Sequence, residues 1–88
     1  MIFISLVKFK SKLTKDSIAQ ASKLFEQMTK EGVKILSVYY TLGRYDAINI
    51  AEAPDEKTAM RALLRWGDLR STETLIAIPR EEAMKLIE

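Results

Sequence analysis

The sequence predicts an α+β protein of the ferredoxin-like, or split βαβ, class, with the order βαββαβ. Three observations support this prediction. A run dense in β-branched and aromatic residues opens the chain, two segments with helical apolar spacing each follow a capping residue, and two strand-like runs meet at Gly43. In this order two helices cover one face of a four-stranded antiparallel sheet. The 88 residues make one domain, 1–88.

The first half of the chain predicts one strand and one long helix. Residues 2–9 favour a strand because apolar β-branched and aromatic side chains dominate them. Thr14 is a suitable cap for a helix over about residues 15–31, and Gly32 is suited to end it. The expected buried stripe consists of Ile18, Ala21, Leu24, Phe25 and Met28.

A hairpin is predicted in the middle of the chain. Its strands are expected over residues 33–41 and 45–53, joined by a two-residue turn with glycine at the first central position, Gly43. In that register Thr41 lies opposite Asp46. A three-residue loop would turn every side chain of one strand to the other face, so both face assignments stay open here.

The last third of the chain predicts a helix, a strand and a short terminal helix. Asp55 can cap a helix over about residues 56–66, and a strand is expected over residues 71–78. Pro79 is suited to the first turn of a terminal helix. The expected buried stripe of the longer helix is Ala59, Ala62, Leu63 and Trp66.

One face of the predicted sheet has no helix to cover it. Both faces of the first strand are apolar, with Ile2, Ile4 and Leu6 on one side and Phe3, Val7 and Phe9 on the other. An exposed apolar face of this size is typical of an interface. We therefore expect two copies to pair face to face into a dimeric α+β barrel, as a dimer or a multiple of dimers.

Composition excludes several kinds of chemistry. The chain has no cysteine and no histidine, so disulfides, thiolate or histidine metal sites and histidine-based catalysis are not expected. No cofactor is expected. The net charge of +2 and the lack of a long apolar segment predict neither a nucleic-acid nor a membrane partner, and a cytoplasmic protein is expected.

Three short segments resemble the GYD domain family. The resemblance rests on Gly43, Tyr45 and Asp46, with Glu52-Ala53-Pro54-Asp55 and Arg70-Ser71-Thr72-Glu73-Thr74-Leu75 in support. It covers most of the chain. It implies a ferredoxin-like fold and a dimeric α+β barrel, and it points to no particular reaction.

The candidate ligand-binding residues are Tyr39, Tyr45, Asp46 and Trp66. In the two-residue-turn register Tyr39 lies diagonal to Asp46, which would pair a phenol with a carboxylate. The alternative is that Asp46 bonds nearby backbone amides at the turn and the tyrosines pack the core or an interface. Trp66 is expected in the core or at a cavity mouth.

Basic side chains support further interpretations. Four lysines near the start of the first helix are either an anion site or a solvated sheet edge: Lys8, Lys10, Lys12 and Lys15. Arg61 and Arg65 are expected to pair with acids from another element. Arg70 could pair with Glu52 or Glu73, and these three residues are interpreted as structural.

The leading hypothesis is a small homo-oligomer that binds a small ligand or another protein without strong catalytic machinery. The alternative, by analogy with dimeric α+β barrel enzymes, is a cofactor-independent monooxygenase- or isomerase-like enzyme with Asp46 as base and a tyrosine as orienting group. A third is a regulatory subunit that docks through residues 79–88.

Overall fold

The structure is a computed structural model that describes residues 1–67 and 69–88. Its order is the predicted βαββαβ arrangement with a short helix added at the C-terminus. The elements are β1 (Ile2–Phe9), α1 (Lys15–Lys30), β2 (Lys34–Tyr40), β3 (Ala47–Glu52), α2 (Glu56–Leu64), β4 (Arg70–Ala77) and α3 (Arg80–Lys85). The predicted fold class is therefore confirmed.

The four strands form one antiparallel sheet in the order β2-β3-β1-β4. β1 and β3 are thus the central strands, paired from Ile2–Glu52 to Val7–Ala47. β4 lies on the outer side of β1, where Phe9 pairs with Arg70. A bulge between Ile35 and Ser37 interrupts the pairing of β2 with β3. This order places side chains of β1 at the centre of both sheet faces.

Both long helices begin at the predicted caps. Thr14 accepts a hydrogen bond from the Ser17 amide, and the Ser17 hydroxyl accepts one from the Thr14 amide, which satisfies two amides that α1 cannot pair internally. Asp55 accepts from the Thr58 amide at 2.8 Å at the start of α2. Gly32 follows α1 with a φ of 98°, a conformation that favours glycine.

The side-chain pattern of β1 decides which sheet face the helices cover. Phe3, Ser5 and Val7 are buried on the helix side, whereas Ile2, Ile4 and Leu6 are only half-buried on the other side. The core between sheet and helices contains Phe3, Ala21, Met28, Val33, Ala53, Ala59, Ala62 and Trp66. Ile18 was predicted in the buried stripe of α1, and this is wrong, because its side chain is exposed.

The hairpin has the predicted register and shorter strands than predicted. β2 ends at Tyr40 and β3 begins at Ala47. The amide of Thr41 donates to the carbonyl of Asp46 at 2.9 Å, so these two residues lie opposite each other as expected. Gly43 has a φ of 101°, a backbone conformation that would be strained for a residue with a side chain.

In the part of the chain that the structure describes, no helix combines the length and apolar composition needed to cross a bilayer. The same residues contain no group of three or more carboxylates arranged to hold a metal ion.

Candidate functional site

The carboxylate of Asp46 forms a hydrogen bond with the backbone of β1. Its Oδ2 accepts a hydrogen bond from the amide of Phe9 at 2.8 Å, and its own amide donates to the Val7 carbonyl at 2.8 Å. Asp46 thereby extends the pairing of β3 with β1 beyond the Val7–Ala47 pair. Two roles were considered for Asp46 from the sequence, a catalytic base and a residue that bonds backbone amides, and the structure shows the second. The bonded amide belongs to the neighbouring strand β1 and not to the turn.

Tyr45 bonds to a different strand. Its hydroxyl donates to Glu73 Oε2 at 2.7 Å, and the Arg44 guanidinium carbon lies 5.8 Å from its ring centre. The hydrogen bond to Glu73 raises the pKa of the Tyr45 phenol above its usual value of 10.0, and partial burial acts in the same direction. Since Glu73 lies opposite Leu6 on β1, this bond lies on the face without helices.

Tyr39 and Asp46 are not bonded to each other. Tyr39 lies opposite Ile48 and so diagonal to Asp46, as the register predicted. The side chain of Tyr39 is 57% exposed. The Asp46 carboxylate instead accepts from the Phe9 amide of β1, which flanks β3 on the side away from β2. The neighbouring Tyr40 packs edge-on against Phe9, with ring centres 6.2 Å apart. The phenol–carboxylate pair expected for a cofactor-independent enzyme is therefore not assembled.

The sheet face without helices carries an apolar stripe along its two central strands. Ile2, Ile4 and Leu6 of β1 lie beside Ile48 and Ile50 of β3, all half-buried in the single chain. The outer strands add several polar residues to the same face, namely Lys34, Ser37 and Tyr39 of β2 and Ser71 and Glu73 of β4. β4 also adds the apolar Leu75, which is exposed and lies opposite Ile4, and Ala77, which lies opposite Ile2. An apolar centre with a polar rim is the usual anatomy of a protein interface.

The C-terminal segment 80–87, which consists of α3 and the two residues after it, is a second apolar surface. None of its residues is buried. Leu86 is 75% exposed and Ile87 is 85% exposed, and Met84 is exposed as well. Large aliphatic side chains at such exposure are typical of a segment that packs against another molecule.

A cavity lies between the sheet and the two long helices. Its volume is about 40 Å³, and Trp66 lies in its wall. The ring of Trp66 packs against Phe25 with centres 5.3 Å apart, and its Nε1 donates to the Met28 sulfur at 3.4 Å. Trp66 is thus both a core residue and a cavity residue. Most of the wall is apolar, and its polar members are Ser5, Asn49, Arg70, Thr72 and Thr74.

Arg70 is the functional candidate that the sequence did not reveal. It is only 8% exposed, and its guanidinium carbon lies 4.7 Å from the ring centre of Phe9 and 4.4 Å from that of Trp66. The pairing with Glu52 or Glu73 that the sequence allowed is not formed. Arg70 lies opposite Phe9 on the helix side, whereas Glu73, three residues further along the strand, lies on the other face.

Two of the remaining basic side chains have partners among the described residues. Arg65 forms the predicted ion pair with an acid from another element, Glu31 at the end of α1. Lys10 donates to the Gly67 carbonyl at 2.6 Å. Lys12 lines a second cavity, of about 20 Å³, that also contacts Trp66 and Arg70.

Comparisons with known proteins agree with the fold. The sequence model of the family described as GYD domain matches residues 3–87. A Thermus thermophilus protein called glutamine synthetase and cystathionine beta-lyase binding protein is 44% identical over 50 residues, which are 54% of this chain and 53% of the relative. The chain therefore spans about half the length of the curated relative that it matches.

Proposed function

The chain belongs to the GYD domain family, and from that membership and its surfaces we propose that it is a protein-binding module that pairs with a second copy of itself. The proposal retains the cytoplasmic setting expected from the sequence, whose lack of cysteine suits a reducing compartment.

The observation that carries the proposal is the apolar stripe on the sheet face without helices. A second copy is the occupant that this face fits best. A two-fold axis parallel to the sheet, lying in front of β1 and β3, brings the stripe against the same stripe of a second copy, and the more polar residues of β2 and β4 then lie at its margins. Dimerisation also gives a small chain additional buried apolar surface. The expected product is a dimeric α+β barrel.

Once the sheet face is covered, the C-terminal segment 80–87 is an apolar surface that remains free to bind another protein. Its exposed apolar side chains are Met84 in α3 and Leu86 and Ile87 just after it, and the last two are mostly exposed in the single chain. The relative is described by its name as a binding protein of two enzymes. We therefore propose an enzyme as the partner and name glutamine synthetase and cystathionine β-lyase as the first two to test.

The dimer is tested by native mass spectrometry of the wild type, Ile50→Lys and Ile76→Lys. Ile50 lies opposite Ile4 on the uncovered face, and Ile76 lies opposite Phe3 on the helix side at the exposed edge. We expect a dimer or a multiple of dimers for the wild type and Ile76→Lys, and a monomer for Ile50→Lys, because the new charge would be buried in the interface. A monomeric wild type would contradict the proposal.

The partner is tested by biolayer interferometry against each purified enzyme, with the full chain and a variant lacking residues 79–88. We expect saturable binding to at least one enzyme by the full chain. The truncated variant should keep the wild-type oligomer mass and lose that binding. No binding by the full chain would reject both partners, and unchanged binding after truncation would reject α3 as the docking segment.

A further inference from the structure

A groove lies at the end of the sheet where β1 begins and where β4 leads into α3. Its volume is about 690 Å³, which is within the range of ligand pockets in general. Ile2 lies opposite Glu52 of β3 and opposite Ala77 of β4, so the ends of three neighbouring strands contribute to the wall. The apolar residues of the wall are Met1, Ile2, Ile76, Ala77, Ile78 and Pro79.

Much of this apolar wall is open to solvent. Met1 is 49% exposed, Ile76 is 61% exposed and Ile78 is 56% exposed. Exposed aliphatic side chains that line one groove, rather than being scattered over the surface, indicate a binding surface. Ile76 lies opposite Phe3 on the helix side of the sheet, so the groove continues around the end of β4 and beyond the proposed dimer interface.

Among the described residues of the groove wall, every charged side chain is a carboxylate. These side chains are Glu52 at the end of β3 and Glu81 and Glu82 in the first turn of α3. All three are exposed, and no ion pair within residues 1–67 and 69–88 includes any of them. The ammonium group of Met1 donates to the Ala53 carbonyl at 2.9 Å.

The acidic character of the groove is a local feature of a chain whose net charge is +2. Lys34 lies opposite Glu52 on β2, and it lines a neighbouring pocket rather than this groove. Carboxylates in the first turn of a helix favour the helix itself, which accounts in part for Glu81 and Glu82 and does not account for Glu52. Carboxylates beside an apolar wall are complementary to a partner that is both apolar and positively charged.

We propose that this groove binds an apolar segment of a partner protein that carries lysine or arginine. The inference rests on the protein-binding function proposed above and states the chemistry of the segment that is bound. A long basic side chain suits the groove, because its methylene stem packs along apolar surface while its charged end reaches the carboxylates. Apolar neighbours of that side chain in the partner cover Ile76 and Ile78, which the stem of one side chain is too small to cover.

The probe for the test is a short labelled peptide in which lysine alternates with leucine. Its binding to the full chain is followed by fluorescence anisotropy, and the matched peptides carry glutamine or glutamate in place of each lysine. We expect saturable binding of the lysine peptide, weaker binding of the glutamine peptide and no binding of the glutamate peptide. Because salt screens exposed charges, the affinity of the lysine peptide should also fall as the salt concentration rises.

The first groove variant is the double substitution Glu81→Gln and Glu82→Gln. Its matched control is Glu56→Gln, which removes a first-turn carboxylate from α2, outside the groove. We expect the double variant to bind the lysine peptide about tenfold more weakly than the wild type, since it loses two exposed ion pairs. Glu56→Gln should bind it with wild-type affinity.

A second groove variant, Ile76→Lys, decides the matter if the double substitution disrupts α3. It adds a positive charge to the apolar wall without changing α3. We expect it to keep the circular dichroism spectrum and the oligomer mass of the wild type and to lose binding of the lysine peptide, because like charges then meet in the groove.

The peptide and the two enzymes together separate this inference from the proposed partners. Charge-dependent peptide binding without binding of either enzyme would support the groove and reject those enzymes. Enzyme binding that both groove variants retain at wild-type affinity would overturn the groove and leave the protein-binding function standing. The groove is also overturned if the wild type does not bind the lysine peptide saturably, if it binds the glutamine peptide equally well, or if both groove variants bind the lysine peptide with wild-type affinity.

Discussion

At the scale of single residues, Asp46 shows a carboxylate that substitutes for a backbone acceptor. Its Oδ2 accepts from the Phe9 amide where the backbone pairing of β1 with β3 ends. Asp46→Ala leaves that partly buried amide without an acceptor, and we expect a loss of about 1–3 kcal/mol in the free energy of unfolding. Chemical denaturation measures this difference.

Asp46→Asn is the matched control, because an amide oxygen can accept the same hydrogen bond without a charge. We expect it to stay within about 1 kcal/mol of the wild type, since one neutral hydrogen bond replaces a charge-assisted one. A loss as large as that of Asp46→Ala would show that the charge of Asp46, and not its geometry, is what the fold uses.

Trp66 and Arg70 show how much of a site the sequence reveals. Helical spacing placed Trp66 at the end of an apolar stripe, and it does lie in the core and in the cavity wall. Arg70 stands where a strand begins, a position at which an arginine is ordinarily exposed. Only the register, which sets Arg70 opposite Phe9, shows that its side chain lies among aromatic rings.

At the scale of secondary-structure elements, β1 shows that a local sequence pattern can predict a strand without predicting which of its faces is buried. Its alternation is apolar on both faces, so the strand was predictable from the sequence and its orientation was not. In the structure the side of Phe3 faces the helices, and Phe3 shares one buried cluster with small helix residues. Ala21 of α1 and Ala59 and Ala62 of α2 allow close approach to the sheet on the side of Phe3.

An ion pair joins the ends of the two long helices and predicts a pH dependence. Glu31 follows α1 and accepts hydrogen bonds from Gln27 and from Arg65, which follows α2. The bond from Gln27 and the charge and bond of Arg65 together hold the pKa of the Glu31 carboxyl below 4.5. Since the folded pKa is lowered, the stabilisation is present above 4.5 and is lost as the pH falls through the folded value.

The variant that tests this pair is Arg65→Gln. We expect a modestly lower melting temperature than the wild type at pH 7, as for exposed ion pairs in general, and equal melting temperatures once Glu31 is protonated. Melting curves at intervals from pH 7 to about pH 3 measure this. A difference between the two proteins that is constant over the whole range would contradict an electrostatic origin.

At the scale of the whole molecule, the stability of the chain should depend on its concentration. If two copies pair through the stripe of Ile2, Ile4, Leu6, Ile48 and Ile50, unfolding also separates them, and mass action then raises the melting temperature with protein concentration. A tenfold change in concentration corresponds to about 1.4 kcal/mol. With the usual unfolding entropy per residue, a dimer of this size should shift by roughly 4 °C for each tenfold change.

The two lysine variants separate this effect from any general loss of stability. Ile76→Lys adds the same charge on the helix side at an exposed edge, and its melting temperature should rise with concentration as in the wild type. Ile50→Lys adds it to the stripe, and its melting temperature should be lower and independent of concentration. The change of melting temperature with protein concentration reports dissociation of the dimer, whereas the melting temperature at one concentration also reflects the stability of each copy. A wild-type melting temperature that does not change with concentration would therefore reject the dimer, even if Ile50→Lys were strongly destabilised.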